Sequence, residues 1–330
     1  MTVMVTGGTG FVGGAIVRAL VARGERVRVL ARRTSKIEPL TSLGVEIAYG
    51  DILDRASVEA ALQGCDTLYH AAALYDFWVP DKQAMMQTEI EGTRCVLEAT
   101  LQYKVDRVIY TSTAIVIGEH KGEVGTESTK RRDYFLTTAE RAKFEAEQVA
   151  ILYLQKGLPI IIVSPAGAYG PSDLKPTGRS IINVLNGRVP YLFKGAISVV
   201  YVDDVGAGHV LAKDRGRIGE RYILSERIVT MEEWFGLACQ LAGTKRPPFG
   251  PVFPIRLLAD LGDFASRWTH RPPLMSRDTV ELVVHGLRVD GSKAVKELGM
   301  RYTPFDEGMR KAIGWYWQQG LLQHKPACVA

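Results

Sequence analysis

Near its N-terminus the chain reads Val5-Thr6-Gly7-Gly8-Thr9-Gly10-Phe11-Val12-Gly13, with glycines at 7, 10 and 13. Glycine at such points permits a tight turn, lets backbone approach a bulky anion and lets a helix pack close on a strand; a helix that starts there offers free N–H groups to the anion. That arrangement suits the pyrophosphate of a dinucleotide, with Gly7, Thr9, Gly10, Phe11, Val12 and Gly13 as contacts. The plain alternative is a glycine-rich turn with no ligand. The next apolar run ends Val29-Leu30-Ala31-Arg32-Arg33, without the Asp or Glu that holds the ribose hydroxyls of NAD. Arginine there suits the 2′-phosphate of NADP, with Arg32 the first candidate and Arg33 beside it, so NADP(H) is expected over NAD(H).

These groups need elements to hold them. Short β-branched runs at 2–5, 27–30, 45–48, 67–70, 107–111 and 159–163 read as buried strands, and helix-period segments at 15–23, 57–62, 91–103 and 137–156 lie between them. Strands and helices in alternation predict an α/β fold, a doubly wound parallel sheet with right-handed crossovers. After residue 170 prolines accumulate and the alternation fades, which divides the chain into 1–170, a cofactor domain, and 171–330, a smaller α+β substrate lobe. Residues 198–213 are expected to return to the main sheet, with Asp203 or Asp204 capping a helix at 205–213.

The 330 residues carry 41 Lys+Arg against 36 Asp+Glu, a formal charge of +5 with no long run of one sign. That excludes a nucleic-acid tail or a polybasic anchor. Cys65, Cys95, Cys239 and Cys328 are scattered, which argues against zinc and a disulfide framework and for reduced thiols in the cytoplasm. No segment has the uninterrupted apolar length of a spanning helix, so no integral membrane segment is expected. The stretch 257–268 is amphipathic, and lobe packing is preferred to a membrane or a partner helix.

The spacing Thr6-Gly7-x-x-Gly10-x-x-Gly13 resembles the short-chain dehydrogenase/reductase superfamily, and the length points to its extended branch. The likeness covers nearly the whole chain and is strongest to the branch of dihydroflavonol-4-reductase-like proteins and hopanoid-associated sugar epimerases. It implies a Rossmann-type fold and a nicotinamide cofactor. It also implies contacts from Asp51 and Ile52 to adenine, from His70-Ala71-Ala72 and Lys143 to the nicotinamide ribose, and from Ser164 and Ala166 in the segment that ends Tyr169-Gly170-Pro171. By the same resemblance Thr113, with Ser112 its neighbour, holds the substrate oxygen, and Lys143 belongs to a Tyr-x-x-x-Lys pair. The tyrosine position is Ala139.

Three explanations fit this gap: an engineered Tyr-to-Ala substitution in an intact site, a natural member using another acid or water, or a protein that binds cofactor without catalysis. Glu89 is a second departure, standing where the family writes Asn; its plain reading is a surface glutamate on a helix's first turn. Tyr75, Phe77 and Trp78 follow the fourth strand and suggest an apolar or aromatic ligand, and Tyr169 is the nearest substitute phenol. The expected activity is reduction of a ketone or the reverse, with nucleotide-sugar epimerase or dehydratase chemistry as the alternative. The expected partner is a small molecule and not nucleic acid, with a homodimer left open; no metal is expected.

Overall fold

The computed structural model describes residues 2–73, 79, 81–269, 273 and 275–329, without the side chain at 267. The first half alternates as its sequence predicts. β1 (Thr2–Thr6) leads to α1 (Phe11–Ala22), β2 (Arg26–Ala31), the short α2 (Glu38–Thr41), β3 (Glu46–Tyr49), α3 (Arg55–Leu62) and β4 (Cys65–His70). Then come α4 (Lys82–Tyr103), β5 (Arg107–Thr111), α5 (Thr138–Gln155), β6 (Ile160–Pro165) and β7 (Gly167–Tyr169). The second half holds α6 (Pro176–Leu185), β8 (Ala196–Tyr201), α7 (Val202–Arg215), β9 (Arg221–Leu224), β10 (Arg227–Thr230) and α8 (Met231–Ala242). It ends with α9 (Val252–Thr269), α10 (Arg277–His285) and α11 (Phe305–Gln318).

Seven parallel strands form the main sheet in the order β3-β2-β1-β4-β5-β6-β9. Alternation along β1 sends Val3 and Val5 to the face covered by α1 and α7, and Met4 to the face covered by α3, α4 and α5. Burial on both faces explains the near-continuous apolar runs of these strands. The order reverses between β1 and β4, and the carboxyl ends of the strands at such a reversal are where sheets of this kind form a ligand-binding crevice.

Two expectations about the second half are corrected. Residues 198–213 do not bring a strand back to the main sheet: β8 pairs with β7 and β10 in a separate three-stranded sheet, packed with α6, α8 and α11. The place beside β6 is filled by β9, with Ile162 opposite Arg221 and Pro165 opposite Leu224. What does return is α7, so close to α1 that a Cβ on Gly206 would lie 2.4 Å from Ala15 O. Nor do Asp203 and Asp204 cap a helix, because α7 begins before them and they occupy its first turn. Asp203 pairs with Arg18 at 2.7 Å, and Asp204 accepts from Thr303 N–H and hydroxyl at 2.7 and 2.9 Å.

Helix α4 starts nine residues before the expected 91, because Asp81 caps it by accepting from the N–H groups of Gln83 and Ala84. Its first turns carry few apolar positions, so periodicity alone misses them. The extra turns bring Met85 and Glu89 into the packed face between α4 and α5.

Candidate functional site

The glycine loop leaves β1 and enters α1 at the crevice. Gly7 has φ +73°, the left-handed region, and a Cβ there would lie 2.5 Å from Ala72 N and 2.6 Å from Ala71 O on the chain leaving β4. A Cβ on Gly13 would lie 2.1 Å from Gly7 O, so helix and loop meet at a distance only glycine allows. At the mouth of α1, Gly10 offers no side-chain cap and the first turn holds no acid. Its N–H groups and the helix dipole are left for an anion. Thr9 and Gly10 are exposed, while Phe11 and Val12 are half-buried. The residues present therefore fit the pyrophosphate of a dinucleotide.

At the end of β2, Arg32 and Arg33 are both exposed, and the Arg33 guanidinium lies 5.1 Å from the Tyr49 ring centroid. Asp51 accepts from its own Leu53 N–H at 3.0 Å, a local turn that also leaves it half-exposed beside Ile52. Thr6 supports the chain leaving β4, since its hydroxyl accepts from Ala72 N–H at 3.2 Å and contacts His70 Nδ1 at 2.7 Å. Thr93 lies 3.4 Å from His70 Nε2 on the other side. Burial, with Lys143 adding its charge, pushes His70 down to about 3. It is a neutral strut across the physiological range.

Thr113 and Ser112 follow β5. Thr113 is half-buried and caps a short 3-10 turn (Ala114–Ile117) through a long 3.5 Å contact with Ile115 N–H. Ser112 is more committed, because its hydroxyl donates to Glu147 Oε2 at 2.5 Å, and Glu147 also pairs with Arg221 on β9. Ser164 is fully buried and its hydroxyl finds no partner among the described residues; Ala166 is buried.

On α5, Thr137 caps the helix by accepting from Glu140 N–H at 3.0 Å. The reciprocal bond of a capping box, from the Thr137 N–H to the Glu140 carboxylate, is not made. The Glu140 carboxylate, fully buried, accepts instead from Leu136 N–H at 2.7 Å and from Arg131 and Arg132 at 2.5 Å each. One turn further, Lys143 Nζ lies 2.8 Å from Glu89 Oε2, both side chains almost wholly buried. Glu89 is thus no surface residue on a first turn; it sits well inside α4 and holds the lysine. Ala139 is 1 % exposed and packs with Met85 and Ala142. Positions 85 and 89 of α4 thereby face positions 139 and 143 of α5.

Tyr169 is corrected as well. It is fully buried in the core of the second lobe, edge-on to Trp234 and Phe305, with its hydroxyl 3.3 Å from Phe305 O, and burial drives its phenol far up. A phenol so placed cannot serve substrate. Tyr75, Phe77 and Trp78 lie outside the described residues. Met85 and Thr93 carry no signal in the sequence, because their partners, Ala139 and His70, come from other elements.

Comparison with known proteins adds four findings. The sequence profile described as the NAD dependent epimerase/dehydratase family matches residues 3–225. The chain is 34% identical to Sterol demethylase protein B of Methylococcus capsulatus, over 98% of this chain and 100% of that one. It is 32% identical to a putative dihydroflavonol 4-reductase of Synechocystis, over 97% and 95%. A crystal structure of a nucleoside-diphosphate-sugar epimerase from Pseudomonas aeruginosa superposes with a TM-score of 0.81 at 28% identity, over 98% and 99% of the two chains.

Proposed function

Because the chain belongs to the NAD dependent epimerase/dehydratase family, we propose that it is an NADP(H)-dependent carbonyl reductase for an apolar or aromatic ketone, with the usual tyrosine's proton transfer taken over by Lys143 and Glu89. The observation that carries this reading is their buried 2.8 Å ion pair. The reductase names borne by relatives that match nearly the whole chain support it.

The nicotinamide, when bound, supplies or accepts a hydride. Gly7, Gly10 and Gly13 receive the pyrophosphate on the backbone of the loop, and Arg32 with Arg33 meets the 2′-phosphate. Thr113, whose hydroxyl is lightly engaged, donates to the ketone oxygen. Ser112 orients it only indirectly, since its proton belongs to Glu147. Lys143 Nζ, one turn from position 139 on the same helix face, donates a proton to the developing alkoxide. Glu89 holds the ammonium toward the site and stabilises its charge. Met85 against Ala139 and Glu89 against Lys143 favour a site remodelled at several positions over one replaced side chain.

We place the protein in the cytoplasm, with its four cysteines reduced; all four are free in this structure. The test is single-turnover loss of NADPH absorbance with a panel of aryl and alkyl ketones. The parent should consume NADPH in preference to NADH, Arg32→Ala should erase the preference, and Glu89→Gln should slow turnover by about 10²–10⁴. An altered nucleotide sugar with no net loss of cofactor would move the protein to epimerase chemistry. Tight binding with neither would make it the non-catalytic binding protein that Ala139 taken alone favours.

A further inference from the structure

Helix α9 is apolar on two sides. Its inner stripe, with Ile255, Ala259 and Ser266 buried, packs with Phe193 and Val280 under the cover of α10. Its outer face repeats at 253, 257, 261, 264 and 268, and Phe253, Leu257, Leu258, Leu261, Phe264 and Trp268 are each more than half exposed, Trp268 at 79 %. Lobe packing, the reading preferred from sequence, therefore accounts for one side only. An exposed apolar stripe beside a packed one is more than packing within the lobe requires, and a patch this large marks a binding face.

The charges around it identify the cover. The acids of α9 are turned to α10: Asp260 pairs with Arg277 at 2.7 Å, and Asp263 accepts from Arg277 N–H at 2.9 Å. Arg256 is taken by Glu281 at 2.8 Å. Exposed Lys194 follows Phe193 of the underlying cluster, and exposed Lys245 lies in the loop leading to the helix; neither has an ion pair among the described residues. Two copies joined through this face would set cations against cations, whereas an anionic lipid surface meets Lys194 and Lys245 with opposite charge. No described helix is long and apolar enough to cross a membrane, so the helix would lie on the bilayer and not through it.

We infer that the outer face of α9 docks this protein on the surface of an anionic lipid bilayer. Phe253, Leu257, Leu261, Phe264 and Trp268 enter the interface, and Lys194 and Lys245 meet the headgroups. The inference stands apart from the reaction proposed above. It touches the first half of the chain, since α10 is tied by Asp278 to Lys82, at the start of α4, at 3.1 Å.

The test is co-sedimentation of the full chain with vesicles of phosphatidylcholine alone and of phosphatidylcholine with phosphatidylglycerol. Binding to the anionic vesicles should be at least about tenfold tighter and fall with salt, and Lys194→Gln and Lys245→Gln should each weaken it by about fivefold. Leu257→Ser with Leu261→Ser and Phe264→Ser should abolish it while leaving NADPH binding and melting temperature unchanged; Trp268→Ala is the milder variant should the triple one fail to fold. No binding to either vesicle, or equal binding by parent and variants, would overturn the inference. A dimer that the triple variant splits, with no vesicle binding, would assign the face to a second copy instead.

Discussion

At the scale of single residues, the site turns on four side chains, Met85, Glu89, Ala139 and Lys143. Replacing Ala139→Tyr alone should raise kcat for ketone reduction less than about tenfold, since Lys143 stays bound to Glu89 and Met85 fills the space. Adding Met85→Ala and Glu89→Asn should open the space, release the lysine and return the proton step to the tyrosine, with kcat about 10²–10⁴ above that of Glu89→Gln, the worth of a positioned general acid. Steady-state rates of the two variants check this, and a full gain from the single change would mean that only one side chain was ever missing. The sequence made the gap at 139 and the oddity at 89 visible, yet it could not join them. They lie on different helices, and nothing in the chain's spacing says that Glu89 looks inward. Tyr169 failed for the converse reason: a phenol beside a family motif reads as reactive until its burial against Trp234 and Phe305 is known.

At the scale of elements, the loop from β1 to α1 was legible because its constraint is local. A turn, a close approach and an uncapped helix start all fall within the few residues from 7 to 13. Gly13→Ala should be costly, as its methyl must displace Gly7 O from 2.1 Å. We expect a loss of about 1–3 kcal/mol in stability from overpacking and at least a tenfold weaker grip on NADPH. Urea unfolding and fluorescence titration measure the two, and an unchanged affinity would show that the loop tolerates a shift we exclude. Helix α4 illustrates the opposite case. Its early turns are set by the Asp81 cap and by what α5 presents, so their polar sequence gives no periodic signal.

At the scale of the whole molecule, buried histidines couple stability to pH. His209 is fully buried, donates from Nδ1 to Val205 O at 2.7 Å and accepts from Thr111 at 3.0 Å; burial pushes it down to about 4. Below the ordinary value near 6.5 the unfolded chain takes up a proton that the folded chain refuses. Stability from this group is therefore present above about pH 6.5 and drains as the pH falls toward 4, at roughly 1.4 kcal/mol per unit. Asp173, raised by burial to about 7, acts with the opposite sign, so the effect is read as a difference. The advantage of the parent over His209→Gln in urea unfolding should shrink by about 2 kcal/mol between pH 7.5 and 5. A constant difference would refute it. The alternation of strands and helices made the main sheet readable to β6, but its last strand hid in the irregular half. That placement of β9 bears on how the molecule is made. During synthesis the edge of β6 waits, unpaired, until residues 221–224 leave the ribosome, and only then can Arg221 reach Glu147 and Glu147 fix the Ser112 hydroxyl. The shelf of hydroxyls at the crevice is thus among the last parts of the sheet to set, and a nascent chain halted at residue 170 would carry the glycine loop without a finished floor beneath its site.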